Sequence, residues 1–407
     1  MDPFNGVSVN KVDGGLGRVN PSLDGTALLV IESTVAPSGI ALNEVTRLLS
    51  VKEAEENGIT AAYDDTNDVL AHYHIDEAFR INPDIYLFVL FLEDISDYSA
   101  INAAIRETEI VRIVGICENK TAAPLTDLAT KVPAYQANVV DELASEKLRI
   151  DAVLVSGEIT DDTAAISTYP TLRDLDSENV SVIIGTDKAI ADASAVLSNA
   201  AIGTAIGGLS RRAVDENLGS VDIANKPDYA KGQNYFSLTD LVKGKFVQAQ
   251  LQAGQLITAL NSAERKDLND KGYIFVGYYA GFQGYYFSNS CTSTELSSDY
   301  CYIENNRVWN KAARGIRQAL LPRVKSSILK ERETGYIRNT EAKDLEQLAA
   351  APLEAMMAAD EISGYEVVID RTQILIDETP LKVAGQIVAN GVVFSFEFDL
   401  GLTDKID

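Results

Sequence analysis

The sequence predicts an α+β protein of more than one domain, ending in a strand-like arm at each terminus. Three observations carry this. Val/Ile-rich runs alternate with helical stretches between about residues 96 and 218, as in a buried, mostly parallel sheet. The 407 residues suffice for two or three domains at roughly 100–200 residues each. Both ends alternate apolar and polar residues with the period of a strand: Val7 and Val9 against Ser8 and Asn10, and Phe394, Phe396, Phe398 and Leu400 against Ser395, Glu397 and Asp399.

In chain order, the first strand dissolves into Gly14, Gly15 and Gly17 and reads as a tethered strand. Residues 26–32 (TALLVIE) form the first core strand, and 45–57 read as a helix stopped by Gly58. The apolar run 85–92 is a buried strand, since eight residues fall far short of the roughly 20 of a membrane-spanning helix. Strands at 110–118, 152–158 and 180–186 are separated by a helix at 138–148 and another after Asp162. Helices at 189–198 and 201–211 complete this layer. Residues 273–302 hold 10 of the 30 aromatic residues and predict an aromatic β segment. Two helices follow, at 307–332 and 340–360, the second interrupted near Pro352. Strands then resume at 365–377 and 382–389, joined by a turn around Pro380, before the strand at 390–402.

The charge narrows function. With 35 basic and 60 acidic residues the net charge is −25, which opposes approach to phosphate backbones and anionic membranes, so neither nucleic-acid binding nor direct membrane insertion is expected. Residues 301–345 invert this balance with ten basic side chains against five acidic ones, a local surface suited to an acidic partner or another copy. Cys117, Cys291 and Cys301 form no even-numbered disulfide framework, and residues 1–10 have no signal-peptide character, so a reducing compartment is expected.

Chemical motifs are weak. Residues 203–210 (GTAIGGLS) have P-loop spacing, but Leu209 stands where the lysine must be and the segment follows a helix; small residues for close helix packing explain it better. Gly14–Gly17 lacks the third glycine of a dinucleotide loop. His72 and His74, the only histidines, would share a strand face with Asp76 but lack a further metal ligand. No catalytic residue, metal site or cofactor is expected. An α/β nucleotide-binding enzyme and a surface adhesin remain as alternatives.

The segments GVSVN (6–10) with DGGLG (13–17), AIGTAIGGLS (201–210) with VDENLG (214–219), YCYIENNRVWNKAAR (300–314) and the terminal strand 388–401 resemble the contractile tail sheath proteins of myophages, R-type pyocins and extracellular contractile injection systems. The resemblance implies a non-enzymatic subunit, assembled in the bacterial cytoplasm into a virion tail or similar particle. It would stack as hexameric rings around an inner tube and contract to drive that tube through an envelope. Baseplate and tail-terminator proteins would be further partners. The implied organisation is an N-terminal arm at 1–20, an outer α/β domain at 21–264, a tube-proximal sheath domain at 265–390 and a C-terminal arm at 391–407. The arms, with Val7, Val9, Val393, Phe394, Phe396, Phe398 and Leu400, would add strands to neighbouring copies. The receiving sheet would include 365–377 and 382–389. Arg314, Arg317 and Lys325, on the basic helix, are the candidate tube-facing residues.

Overall fold

The structure is a computed structural model and describes residues 23–119, 127–157, 165–224, 235–252, 254–375, 380–398 and 400–402. The first part of the chain forms β1 (Ala27–Glu32), β2 (Val45–Leu48), α1 (Val51–Glu56), α2 (Ala61–Asn67), α3 (Ala71–Ile81), β3 (Leu87–Leu92), α4 (Tyr98–Thr108), β4 (Ile113–Cys117), α5 (Leu128–Tyr135), α6 (Glu142–Ser145), β5 (Ala152–Ser156) and β6 (Val180–Ile183). The strands make one six-stranded sheet, in the order β2-β3-β1-β4-β5-β6. Only β2 runs antiparallel to its neighbour. Strands β1, β4, β5 and β6 are buried almost throughout, which is why they read as continuous apolar runs.

The sequence predicts a single helix over 45–57, but two elements form there. Ser50 caps α1 by accepting from the Glu53 N–H, and the Glu53 carboxylate returns to the Leu49 N–H, so the helix starts only after strand β2. The predicted helix at 138–148 starts earlier, at Leu128. It passes through a π-helical turn, Gln136–Asp141, into α6.

Beyond the sheet come β7 (Gly185–Asp187), α7 (Lys188–Ala193), α8 (Ile202–Arg211), β8 (Ala249–Leu251), α9 (Ser262–Asp270), β9 (Val276–Gly277) and β10 (Tyr286–Phe287). The aromatic segment thus holds only short strand pairings. Helix α8 packs on α3 through its glycines, where a Cβ at Gly203 would lie 2.1 Å from the His74 carbonyl oxygen and one at Gly207 2.8 Å from that of Ala78, and it meets β4 through Ile202 and Ile206 against Gly115. Small residues here bring two backbones together, as expected for a packing helix.

The C-terminal part is α10 (Ile303–Leu320), α11 (Asn339–Ala358), β11 (Ile362–Val368) and β12 (Ala384–Ala389). Helix α10 ends twelve residues before the predicted 332, where Leu321–Arg323 tightens into a 3-10 turn around Pro322. Helix α11 runs unbroken through Pro352, whose ring packs against Gly315 of α10. One large core extends from β1 to Ile303, and two smaller ones lie mainly in the C-terminal part, one built around Val308, Leu353 and Ile362 with Val214 joining it, the other around Ile337, Leu345 and Ile369. The change of core near residue 303 differs from the boundary expected at 265, because Leu268 of α9 and the aromatic residues up to Phe287 pack into the first core.

Candidate assembly site

Strands β11 and β12 form an antiparallel ribbon of their own, with Tyr365 opposite Ile387 and Val367 opposite Gly385. One face is held: Tyr365, Val367 and Ile387 pack with Ile362 against Val308, Ala312, Leu353 and Met356 of the two helices. The other face presents Val368 and Val388 to solvent. Two strands alone are marginal in water, so the helices underneath are what keep this ribbon formed. Neither outer edge is paired with another strand among the described residues. Each edge therefore offers unpaired backbone groups to an incoming strand.

The chain leaves β12 through Asn390, whose side-chain amide donates to the Asp360 carbonyl (2.6 Å) and the Asp215 carboxylate (2.8 Å). Beyond it, the predicted strand at 390–402 has no partner among the described residues. Phe394 stacks on Tyr302, with ring centroids 5.3 Å apart. Val393, Phe396, Phe398 and Leu400 are exposed, Phe396 by 90%. Alternation is present in the sequence, but a strand needs a neighbour, and none is supplied among the described residues. Val7 and Val9 of the N-terminal arm lie outside the described residues.

The root of that arm is described. Asp24 accepts Lys311 Nζ at 2.7 Å and lies 3.6 Å from the Arg314 guanidinium. Lys311 Nζ also meets Glu361, immediately before β11, at 2.6 Å. Burial alone would pull the Lys311 ammonium down, but Asp24 and Glu361 together carry it above its ordinary range. One lysine on α10 thus joins the root of the N-terminal arm to the start of the ribbon. No sequence pattern points to this, since Asp24 and Glu361 lie far from Lys311 along the chain.

Arg314, offered as tube-facing, corrects that expectation. It donates to the fully buried Asp151 at 2.7 Å, so its charge is used between α10 and the sheet. Burial holds the Asp151 carboxyl above the usual range, an effect the Arg314 guanidinium opposes. Arg307 is buried as well, donating to the carbonyls of Ala213 and Arg212. The basic helix is therefore largely a bracket inside the subunit. Arg317 and Lys325 are exposed, Lys325 in the loop beyond the helix.

The enzymatic alternatives meet physical obstacles. The five parallel strands place a topological switch point between β1 and β4, where an open α/β sheet would bind a ligand at its carboxyl ends. Those ends carry Glu32, which accepts from the Asn119 N–H at 2.8 Å, and Glu118, ion-paired with Lys131. Carboxylates at this position oppose a phosphate. The P-loop-like glycines lie within α8, where Leu209 is buried. His72 and His74 belong to helix α3, not to a strand: His72 meets Glu55 at 3.1 Å, while His74 is buried, accepts from the Gly203 N–H and is pushed down to about 3 by burial. Among the described residues no group of three or more His, Cys, Asp or Glu could hold a metal ion, and no helix is long and apolar enough to cross a membrane.

The DUF2586 N-terminal domain model matches residues 4–291 and the DUF2586 C-terminal domain model residues 299–406. The chain belongs to the DUF2586 family. Within this DUF2586 chain the seam between the two models falls just before α10, close to where the large core gives way to the smaller ones. No curated protein matches the sequence. Among solved structures, a chain of the anti-feeding prophage baseplate shares the fold with a TM-score of 0.61 at 14% identity, covering 99% of this chain and 100% of that one. A sheath tail protein from Desulfitobacterium hafniense gives a TM-score of 0.50 at 10% identity, over 90% of this chain and 93% of that one.

Proposed function

We propose that the chain is a structural, non-enzymatic subunit of a contractile tail, of the sheath type: copies stack as hexameric rings around an inner tube and shorten to drive it through a target envelope. The observation that carries this is the β11–β12 ribbon, which no further strand joins at either edge among the described residues, followed by an apolar terminal strip in which Val393, Phe396, Phe398 and Leu400 are exposed. A soluble monomer is endangered by such edges, whereas an assembly uses them by adding strands. The fold shared with an anti-feeding prophage baseplate chain and a sheath tail protein supports the same reading.

In this account the arm at 1–20 and the arm at 391–407 each add a strand to the ribbon of another copy. The ribbon, α10 and α11 make the assembling domain, and the sheet domain lies outside it. The exposed cations Arg317 and Lys325 are the remaining candidates for contact with an acidic inner tube. The tail, with a baseplate and a terminator at its ends, is the site of action. Electron microscopy of the purified chain tests this: striated tubes or stacked rings are expected, and a uniformly monomeric protein at every concentration would overturn it.

A further inference from the structure

Residues 272–294 carry no charged side chain, an unusual gap in a chain of net charge −25. Strands β9 and β10 pair within it, Gly277 with Tyr286 and Val276 with Phe287, so residues 278–285 form the loop of a short hairpin. Its tip exposes Tyr278, Tyr279 and Phe282 by 43%, 53% and 45%. Each outer ring rests on another. Tyr278 meets Tyr285 at 6.0 Å, Tyr279 meets Tyr286 at 5.9 Å, and Phe282 meets Tyr235 at 5.3 Å.

The loop itself is fixed. The Tyr286 hydroxyl donates to the Gln283 carbonyl at 2.8 Å, and Gly284, at φ +99°, approaches Ser237 so closely that a Cβ would lie 2.1 Å from its hydroxyl oxygen. The adjoining segment is tied on by the Leu238 N–H donating to the Tyr285 carbonyl, and its turn presents Leu241 and the almost fully exposed Val242. Stacked aromatic rings lose little conformational freedom on docking, and a cluster of them exceeds the scattered exposed residues of an ordinary surface.

Charge selects the occupant. Two copies of this chain repel one another overall, so a contact between them is favoured where neither presents a carboxylate. A basic partner would be drawn to the acidic remainder of the surface, and an acidic one to exposed cations, whereas the tip, without a formal charge, offers an anion no ion pair and a cation only a ring face. We propose that the β9–β10 hairpin tip docks against a second copy of this chain, through a contact separate from the arms and the β11–β12 ribbon. This rests on the reading that the chain assembles with its own copies.

The test uses the full chain carrying Tyr278→Ser, Tyr279→Ser and Phe282→Ser together. The expected result is an unchanged melting curve with at least a tenfold rise in the concentration at half-assembly by light scattering; assembly at the wild-type concentration would overturn the inference while leaving the proposed function standing. A wild-type chain that never assembles would sink both. Should the triple variant fail to fold, a single Phe282→Cys in the full chain decides. The natural Cys117, Cys291 and Cys301 are all buried, so maleimide reports on the new thiol. Labelling at least tenfold slower in the assembly than in dilute monomer is expected. Equal labelling, or protection that appears only on adding lipid vesicles or another tail component, would overturn the assignment.

Discussion

Replacing Lys311 with methionine removes the charge that joins the N-terminal arm root to the β11–β12 ribbon while keeping the packing of the stem. Lys311 is 27% exposed, Asp24 21% and Glu361 12%, so these pairs lie between surface pairs, worth about 0–1 kcal/mol, and buried ones, whose breakage costs about 3–5 kcal/mol. Asp24 keeps Arg314 at 3.6 Å, but the buried Oε2 of Glu361 already has no hydrogen-bond partner, and its Oε1 loses the lysine. A loss of about 2–3 kcal/mol follows, equivalent to roughly 5–10 °C at the 2–4 °C per kcal/mol of a domain of 150–250 residues. Differential scanning calorimetry should record that drop. Adding Glu361→Gln, which removes the stranded charge, should recover at least half of it. Because the folded chain holds the Lys311 proton more tightly than its ordinary 10.5, the stabilisation is complete below that pH and fades as pH rises past it, so wild type and variant should converge in alkali. A Lys311→Met protein that melts with the wild type at pH 7 would refute the claim that this lysine ties the arm root to the ribbon.

Further outcomes follow from the same structure. Gly203→Ala should destabilise by about 3 kcal/mol or more in denaturant titrations, since its Cβ meets backbone atoms of His74 that cannot yield. Burial lifts the Asp64 carboxyl from its ordinary 3.8 to about 6, so the folded chain binds the extra proton and this group's contribution, about 3 kcal/mol at about 1.4 kcal/mol per pH unit, is present below 3.8 and lost as pH rises through 6; a carboxyl titration by NMR with a midpoint below 4.5 would contradict this. The His74 imidazole, held neutral down to about 3, acts in the opposite sense, and its contribution is complete above 6.5 and declines as pH falls below it; detection of a charged His74 by NMR at pH 5 would exclude that behaviour. Phe396→Ser with Phe398→Ser should leave circular dichroism and melting unchanged, because both rings are exposed in the subunit, while abolishing tubes; early unfolding of the monomer would place these rings in its own core.

The parts of the fold legible in sequence are those decided by local pattern. Strands β1, β3, β4, β5 and β6 are continuous apolar runs because helices and neighbouring elements bury them on both faces. The errors arise where distant contacts decide. Thirteen residues at 45–57 divide between strand and helix because Ser50 accepts from the Glu53 N–H and the Glu53 carboxylate accepts from the Leu49 N–H, a helix start whose S-x-x-E spacing lies inside the segment predicted as one helix. Pro352 does not interrupt α11, since Gly315 on another helix makes room for its ring. Arg314 reads as surface charge until Asp151 and Asp24 arrive from remote parts of the chain. The alternation at 394–400 is legible in the sequence, yet it pairs with no strand among the described residues, so its period alone does not make it one.

The central claim is that other copies complete the β11–β12 ribbon. A cryo-electron microscopy reconstruction of the assembled particle, with each chain traced from arm to arm, measures this directly. The account predicts two added strands, one along each outer edge of β11–β12, both supplied by the arms of other copies. Bare ribbon edges, or arms folded back onto their own subunit, would contradict it.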